Sequence, residues 1–368
     1  MKYCVLGAGL MGKAVAHDLL LQEETTQVIL VDNNVEALHA KPLQKDPRLQ
    51  TQILDVTKIQ DVINVLEKVD AAVGAIHYGF NLDLTKAAIK TRTHFCDLGG
   101  NSSIVDEQLK LNKEAEIKGV SIIPDCGLAP GMVAVLVKWG VEKFNWADTV
   151  KIRVGGLPQN PKNTLKYERL FSVEGLINEY VEPVRILRNG KIEIIEPLTE
   201  IEEIEFSSPY GKLEAFTTSG GTSTLIETYK SRLKNLDYKT IRYPGHCQIV
   251  RSMYELGLFH GESREITGKL IEKNIPLCSH DVTLVKIIFE GNSKKHELII
   301  IDKAQSPFTS MMRMTAFPAS IIAQLQAHKK ITKVGVNTQE NCVPSDLFIA
   351  ELERRNIIVN GLVLASVV

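Results

Sequence analysis

Gly7-Ala8-Gly9-Leu10-Met11-Gly12 stands between a short apolar run, Lys2–Leu6 (KYCVL), and a stretch patterned for a helix over 13–21. A second apolar run, 27–31 (QVILV), follows and ends on Asp32. Strand, glycine turn, helix, strand and terminal acid, in that order, are what a dinucleotide-binding βαβ unit requires. Gly7 permits the tight turn. Gly9 places no side chain in the way of a pyrophosphate, and Gly12 lets the helix pack close to the strand. The helix start offers free N–H groups and a positive dipole end to phosphate oxygens, with Leu10 and Met11 in the turn before it. Asp32 lies where a carboxylate accepts hydrogen bonds from a ribose 2′-hydroxyl and repels a 2′-phosphate. Neither Asn33 nor Asn34 supplies an arginine for that phosphate, so NAD is expected over NADP.

The same rhythm continues outward. Strands are expected at 51–56, 70–76, 93–97 and 120–124, alternating with helices at 59–67, 82–91 and 107–118. Strands alternating with helices give a doubly wound parallel sheet, whose ligands lie beyond the carboxyl ends of the strands. Asp55 and Val56, His77 and Tyr78, Asp97 and Asp125 fall at those ends. Asn33, Asp55, Val56 and His77 are therefore grouped with Gly7, Gly9, Leu10, Met11, Gly12 and Asp32 as cofactor-binding positions.

After Gly131 the pattern changes. A helix over 132–144 leads into strand-like runs at 149–155, 184–187, 192–195, 213–217, 238–243, 282–290 and 296–301. Asn189-Gly190 and Gly291-Asn292-Ser293 read as hairpin turns. Helices at 223–232, 245–256 and 263–273 intervene, so an α+β domain on a mostly antiparallel sheet is expected. Helices over 312–327 and 345–355, then a last strand over 357–364, read as a segment returning to the first domain. The expected division is 1–131 for the Rossmann domain, 132–310 for the α+β domain and 311–368 for the returning segment.

At 368 residues, the chain suits two domains. A net charge of −1 gives no electrostatic case for nucleic acid or an anionic membrane. No apolar run reaches the ~20 residues that span a bilayer. An apolar strand from residue 2 leaves no room for a signal peptide, so a cytoplasmic protein is expected. The 6 cysteines form no C-x-x-C pair, which argues against a disulfide framework or a metal site.

Asp97 and Asp125 each end an apolar strand before a glycine-containing loop. Either could serve as a general acid or base, its pKa raised by partial burial, or could simply cap a turn. Tyr78 could pack near the nicotinamide. In Thr240–His246 (TIRYPGH), a strand carries Arg242 toward a Pro-Gly turn, and Arg suits a substrate carboxylate. The alternative for Arg242 is a salt bridge. His246 could carry a proton or cap a helix. Ser219 and Thr222, in the run Phe216–Thr224, could receive a carboxylate or form an ordinary turn.

These stretches carry a resemblance. GAGLMG (7–12), DLGG (97–100), PDCGLAPGM (124–132), GGLPQNPKNTLKY (155–167), EAFTTSGGTSTL (214–225), KTIRYPGH (239–246) and SMMRMTAFPA (310–319) resemble the saccharopine dehydrogenase-like family, most closely its lysine 6-dehydrogenase branch. The resemblance covers nearly the whole chain. It implies NAD-dependent oxidative deamination at the ε-carbon of L-lysine, giving a semialdehyde that cyclises to a piperideine carboxylate. It also implies a homodimer or higher homo-oligomer, with a small amino acid as the other partner. A saccharopine- or carboxynorspermidine-type reductive condensation is the alternative within the class, and a catalytically silent cofactor-binding regulator is the alternative outside it.

Overall fold

The computed structural model describes residues 1–39 and 43–362, which form two compact units. The first unit comprises Met1–Trp139 and Met312–Arg355. Its sheet contains β1 (Lys2–Leu6), β2 (Gln27–Asp32), β3 (Leu49–Ile53), β4 (Ala71–Gly74), β5 (His94–Asp97) and β6 (Ser121–Ile123). From β6 the order runs β6-β5-β4-β1-β2-β3, all neighbours parallel. The chain reverses direction across the sheet between β1 and β4, the switch point where doubly wound folds bind ligands. Their central residues are buried on both faces, which is why β1, β2 and β4 read as continuous apolar runs.

The β1 turn depends on close backbone approach. A Cβ on Gly12 would lie 1.8 Å from the Gly7 carbonyl oxygen, and one on Gly7 would lie 2.4 Å from that of Ala75. Gly7 also has φ of +106°, which disfavours any side chain. The helix Leu10–Leu20 is thereby seated directly on the strand ends.

The second unit comprises Gly140–Met311 and the described residues from Asn356 onward. It holds β7 (Thr149–Pro158), β8 (Val184–Arg188), β9 (Lys191–Ile195), β10 (Glu202–Phe206), β11 (Gly211–Thr217), β12 (Asn235–Arg242), β13 (Asp281–Gly291) and β14 (Lys294–Lys303). The order is β10-β11-β12-β7-β13-β14, with β8 and β9 branching from β12. Only β12 and β7 pair in parallel; the other pairings are antiparallel. Both expected hairpins form. Asn189 and Gly190 have φ of 52° and 76°, and Asn292 and Ser293 have φ of 50° and 59°, the left-handed pairs that match strand twist.

The structure departs from the expected elements at several points. The 107–118 helix is two helices, Ser102–Lys110 and Asn112–Lys118, broken at Leu111. The 223–232 helix is only Leu225–Tyr229. A helix at Val173–Val181 and strand β10 were not expected. The last strand over 357–364 is reduced to a bridge from Asn360 to Ile299, which belongs to the second unit; 363–368 lie outside the described residues. The return to the first unit is made by Ser310–Ala327, the short strand β15 (Gly335–Val336) beside β6, and Ser345–Arg354.

That return is pinned by a buried ion pair. Arg355 Nε donates to both oxygens of Asp18, at 2.8 and 2.9 Å, and the Asp18 side chain is wholly buried. Arg355→Ala strands the carboxylate and should cost about 3–5 kcal/mol of unfolding free energy in urea titrations. A loss below about 1 kcal/mol would mean the pair does not anchor the segment.

Candidate active site

In the first unit, the turn after β1 is shaped for a ligand as well as for packing. Gly7 and Gly12 are glycine because the protein itself crowds them. Gly9 differs: a Cβ there would have nothing within 4 Å, and its φ of −69° suits any residue. The open position lies at the start of Leu10–Leu20, where unpaired helix N–H groups favour an anion. The Asp32 carboxylate is held by the amides of Ala8 at 2.7 Å and Asn34 at 2.8 Å, which fixes it beside the turn. Leu10 and Asn33 are exposed and Met11 half-buried. These residues fit a dinucleotide.

The remaining strand-end positions separate. The Asp55 carboxylate accepts from the Thr57 amide (3.0 Å) and hydroxyl (2.7 Å), so it closes a turn, with half-buried Val56 inside it. The His77 Nδ1 accepts from the Gly79 amide at 3.1 Å and caps the turn Tyr78–Phe80. Its ring lies 4.1 Å from that of Tyr78. Tyr78 is half-buried against Gly100, where a Cβ would meet its ring at 3.0 Å.

Asp97 is fully buried. Its Oδ1 accepts from the amides of Gly99 (2.8 Å) and Asp125 (3.2 Å), and its Oδ2 from Gln108 Nε2 (2.8 Å). Burial pushes its pKa up to about 6, although these donors pull the other way. A carboxylate with no exposed surface and this donor set ties the loops after β5 and β6 together; it is a poor proton shuttle. Asp125 is 3% exposed and sits at φ of 59°. Its carboxylate lies over Gly99, where a Cβ would fall 1.7 Å from Oδ1. Both acids are buried, and Asp97 holds the Asp125 backbone.

In the second unit, a polar cluster forms at the end of β12. Glu214 on β11, directly opposite Arg242, accepts from the amides of Gly245 (2.8 Å) and Cys247 (2.7 Å). It thereby caps the helix His246–Glu255 and fixes the Pro-Gly turn. Arg242 is 3% exposed. Its guanidinium carbon lies 5.1 Å from the centre of the Tyr167 ring, and its Nη1 donates to the Ile241 carbonyl at 3.0 Å. Its Nη2 is 3.8 Å from Glu179, beyond hydrogen-bond reach, and its Nε has no partner among the described residues. Burial pushes the Glu179 pKa up to about 7 despite the guanidinium beside it.

His246 is not placed as a proton carrier. Its Nδ1 lies 2.8 Å from the Leu165 carbonyl and its Nε2 3.0 Å from the Tyr180 hydroxyl. A carbonyl can only accept, so Nδ1 carries the proton and Nε2 accepts from Tyr180. Burial, then the Arg242 charge, lowers its pKa to about 3, so it is neutral. The hydrogen bonds run in one direction, Tyr180 to His246 to Leu165, and fix the phenol. Ser219 is also taken: its amide donates to the Glu179 carbonyl at 3.1 Å and its hydroxyl to that of Asn178 at 3.2 Å. It satisfies carbonyls that the end of Val173–Val181 leaves open. Thr222 is buried in the turn before Leu225–Tyr229, its carbonyl accepting from Leu225 at 2.9 Å, and that helix is too short to serve as an anion site.

The saccharopine dehydrogenase NADP binding domain matches residues 3–123, and the saccharopine dehydrogenase C-terminal domain matches 127–358. The chain belongs to the saccharopine dehydrogenase family. The first unit is thus a nicotinamide dinucleotide-binding domain of that family. The NADP-dependent, L-glutamate-forming saccharopine dehydrogenase of Saccharomyces cerevisiae is 23% identical over 279 residues, 73% of this chain and 61% of the relative. The mitochondrial alpha-aminoadipic semialdehyde synthase of Rattus norvegicus is 24% identical over 274 residues, 71% of this chain and 29% of that protein. The chain thus spans less than two thirds of the length of these curated relatives. Among solved structures, the apo yeast saccharopine dehydrogenase superposes with a TM-score of 0.80 at 16% identity, covering 99% of this chain and 100% of that one. Homospermidine synthase of Legionella pneumophila, in complex with NAD, gives 0.70 at 12% identity, covering 99% and 91%. At these identities the likeness establishes the shared fold.

The sequence reading missed Tyr167, Glu179 and Tyr180. A signal existed: Ser172 followed by Val173, Leu176, Ile177 and Tyr180 is a cap and one apolar helix face.

Two tests follow from this geometry. Gly9→Val should weaken dinucleotide binding at least roughly tenfold by calorimetry while leaving the apo-protein's thermal midpoint unchanged, because the new side chain meets only ligand. Equal affinity would remove the turn as the phosphate site. The raised Asp97 pKa means that the unfolded chain ionises first as pH rises from about 4 to about 6, so stability falls across that window by about 3 kcal/mol. Asp97→Asn should flatten that part of the stability–pH curve, measured by denaturant unfolding. Parallel curves for the two proteins would contradict the assignment.

Proposed function

We propose that this chain oxidatively deaminates the ε-carbon of L-lysine with NAD, releasing ammonia. The observation that carries the reading is Arg242: a guanidinium buried under tyrosine rings with a donor left open, which suits a substrate carboxylate. Bound NAD supplies the two-electron acceptor that takes hydride from C6. Arg242 binds the α-carboxylate. Asp125 takes a proton from the ε-ammonium, freeing the nitrogen lone pair to form the C=N bond as C6–H breaks. Asp97 holds the Asp125 amide in place at 3.2 Å. Water then replaces nitrogen at C6 and ammonia leaves. The 6-semialdehyde closes onto its own α-amine with loss of water, giving the piperideine carboxylate. Asp32, with no arginine at positions 33 or 34, supports NAD over NADP.

A second reading keeps the family and changes the amine. The matched family model is described as NADP-binding, and the yeast relative is named as an NADP-dependent, glutamate-forming saccharopine dehydrogenase. On that reading the substrate is a secondary amine joining two amino-acid skeletons, and the cofactor preference reverses.

One panel separates the two. The purified chain is assayed for reduced cofactor with L-lysine, saccharopine and a set of diamines, each with NAD and with NADP. The expected result is turnover of L-lysine with NAD and release of ammonia. Turnover of saccharopine with NADP and none of lysine would establish the second reading.

A further inference from the structure

Two arginines on neighbouring strands of the second unit are paired very differently. Arg153 on β7 is closed: its Nη1 and Nη2 meet Asp237 at 3.0 and 2.9 Å, and its Nε meets Glu202. Arg242 on β12 is open. Glu179 approaches its Nη2 only to 3.8 Å, and Nε is without a partner among the described residues. The cause is local. Glu179 sits on the helix Val173–Val181, whose end is fixed by Ser219 through the carbonyls of Asn178 and Glu179. Arg242 is fixed separately, by the turn that Glu214 caps and by Tyr167. Neither side chain is free to close on the other by moving its backbone. The Glu179 side chain keeps 29% of its surface while that of Arg242 keeps 3%, so the acid is the more accessible member.

An opposite-charge pair held apart in low-dielectric surroundings is costly unless something completes it. Each partner lacks what the other end of a zwitterion provides. The guanidinium needs a carboxylate, and the carboxylate needs an N–H donor with positive charge. An α-amino acid carries both on one carbon. Burial raises the Glu179 pKa to about 7, as expected for a carboxylate whose full counter-charge is missing.

We infer that Glu179 and Arg242 together form a receptor for the α-amino acid head group, with the α-ammonium on Glu179 and the α-carboxylate on Arg242. This deepens the proposed function, whose Arg242 assignment it shares, and it makes Glu179 the residue that distinguishes amino acids from simple carboxylic acids. Because the two charges balance, a substrate lacking the α-amine would leave a second buried negative charge beside Glu179 and should be rejected.

The test uses ligands that cannot react. L-Norleucine has the head group without an ε-amine, and hexanoate has the carboxylate alone. Calorimetry is done on the NAD-loaded protein. The wild type should bind norleucine at least roughly tenfold more tightly than hexanoate. Glu179→Gln should erase that preference by weakening norleucine and strengthening hexanoate, and the retained hexanoate binding also shows that the variant is folded. Should the glutamine variant not fold, Glu179→Asp, which draws the carboxylate back by one methylene, should narrow the preference in the same direction. An undiminished preference in the folded variant, or no preference in the wild type, would overturn the assignment. Neither ligand is oxidised, so the outcome is independent of turnover. If lysine is not oxidised but the preference vanishes in the variant, the reaction fails and the head-group site stands. If lysine is oxidised and the variant keeps its preference, the reverse holds.

Discussion

A buried guanidinium must be given partners, because water no longer solvates it and an uncompensated charge costs several kcal/mol. Much of the second unit's polar architecture follows from placing Arg242 at the end of β12. The Tyr167 ring lies against it, and Glu214 braces the turn that follows. Even so, one donor remains open and the nearest carboxylate stands off. Arg153 in the same sheet is, by contrast, closed by Asp237.

The first unit resolves a different constraint. Its strand and helix approach so closely at Gly7 and Gly12 that any side chain would collide with backbone, while Gly9 stays clear of the protein altogether. Packing thus constrains two of the three glycines in the turn and leaves the third open. The two aspartates also divide their work. Asp97 spends its lone pairs on loop amides and Gln108, and Asp125 is the residue those bonds position.

How much of this the amino-acid sequence discloses depends on the range of the interaction. The βαβ opening is local: period, glycine spacing and a terminal acid all fall within one stretch, and the observed β1, β2 and Leu10–Leu20 lie within a few residues of the expected positions. The hairpin turns at Asn189-Gly190 and Asn292-Ser293 were readable for the same reason. Arg242 stood out because a lone arginine ends an apolar strand. Its surroundings did not, since Tyr167, Glu179 and Tyr180 come from a loop and a helix distant in sequence and are brought near by tertiary packing. His246, Ser219, His77 and Asp55 show the complementary limit. Groups able to bind a ligand are equally able to satisfy a helix end or a turn, and here turn amides, helix carbonyls and a buried phenol engage them. Tertiary burial decides between the uses, and it is not written in residue type.

The central claim is hydride transfer from the ε-carbon of lysine to the nicotinamide. The direct measurement is to supply L-lysine carrying deuterium at both C6 positions, with NAD, and to determine the mass of the reduced cofactor. The account predicts reduced cofactor that has gained one deuterium, formed with release of ammonia. Reduced cofactor without deuterium, or none formed from lysine under conditions where another amine is oxidised, would contradict it.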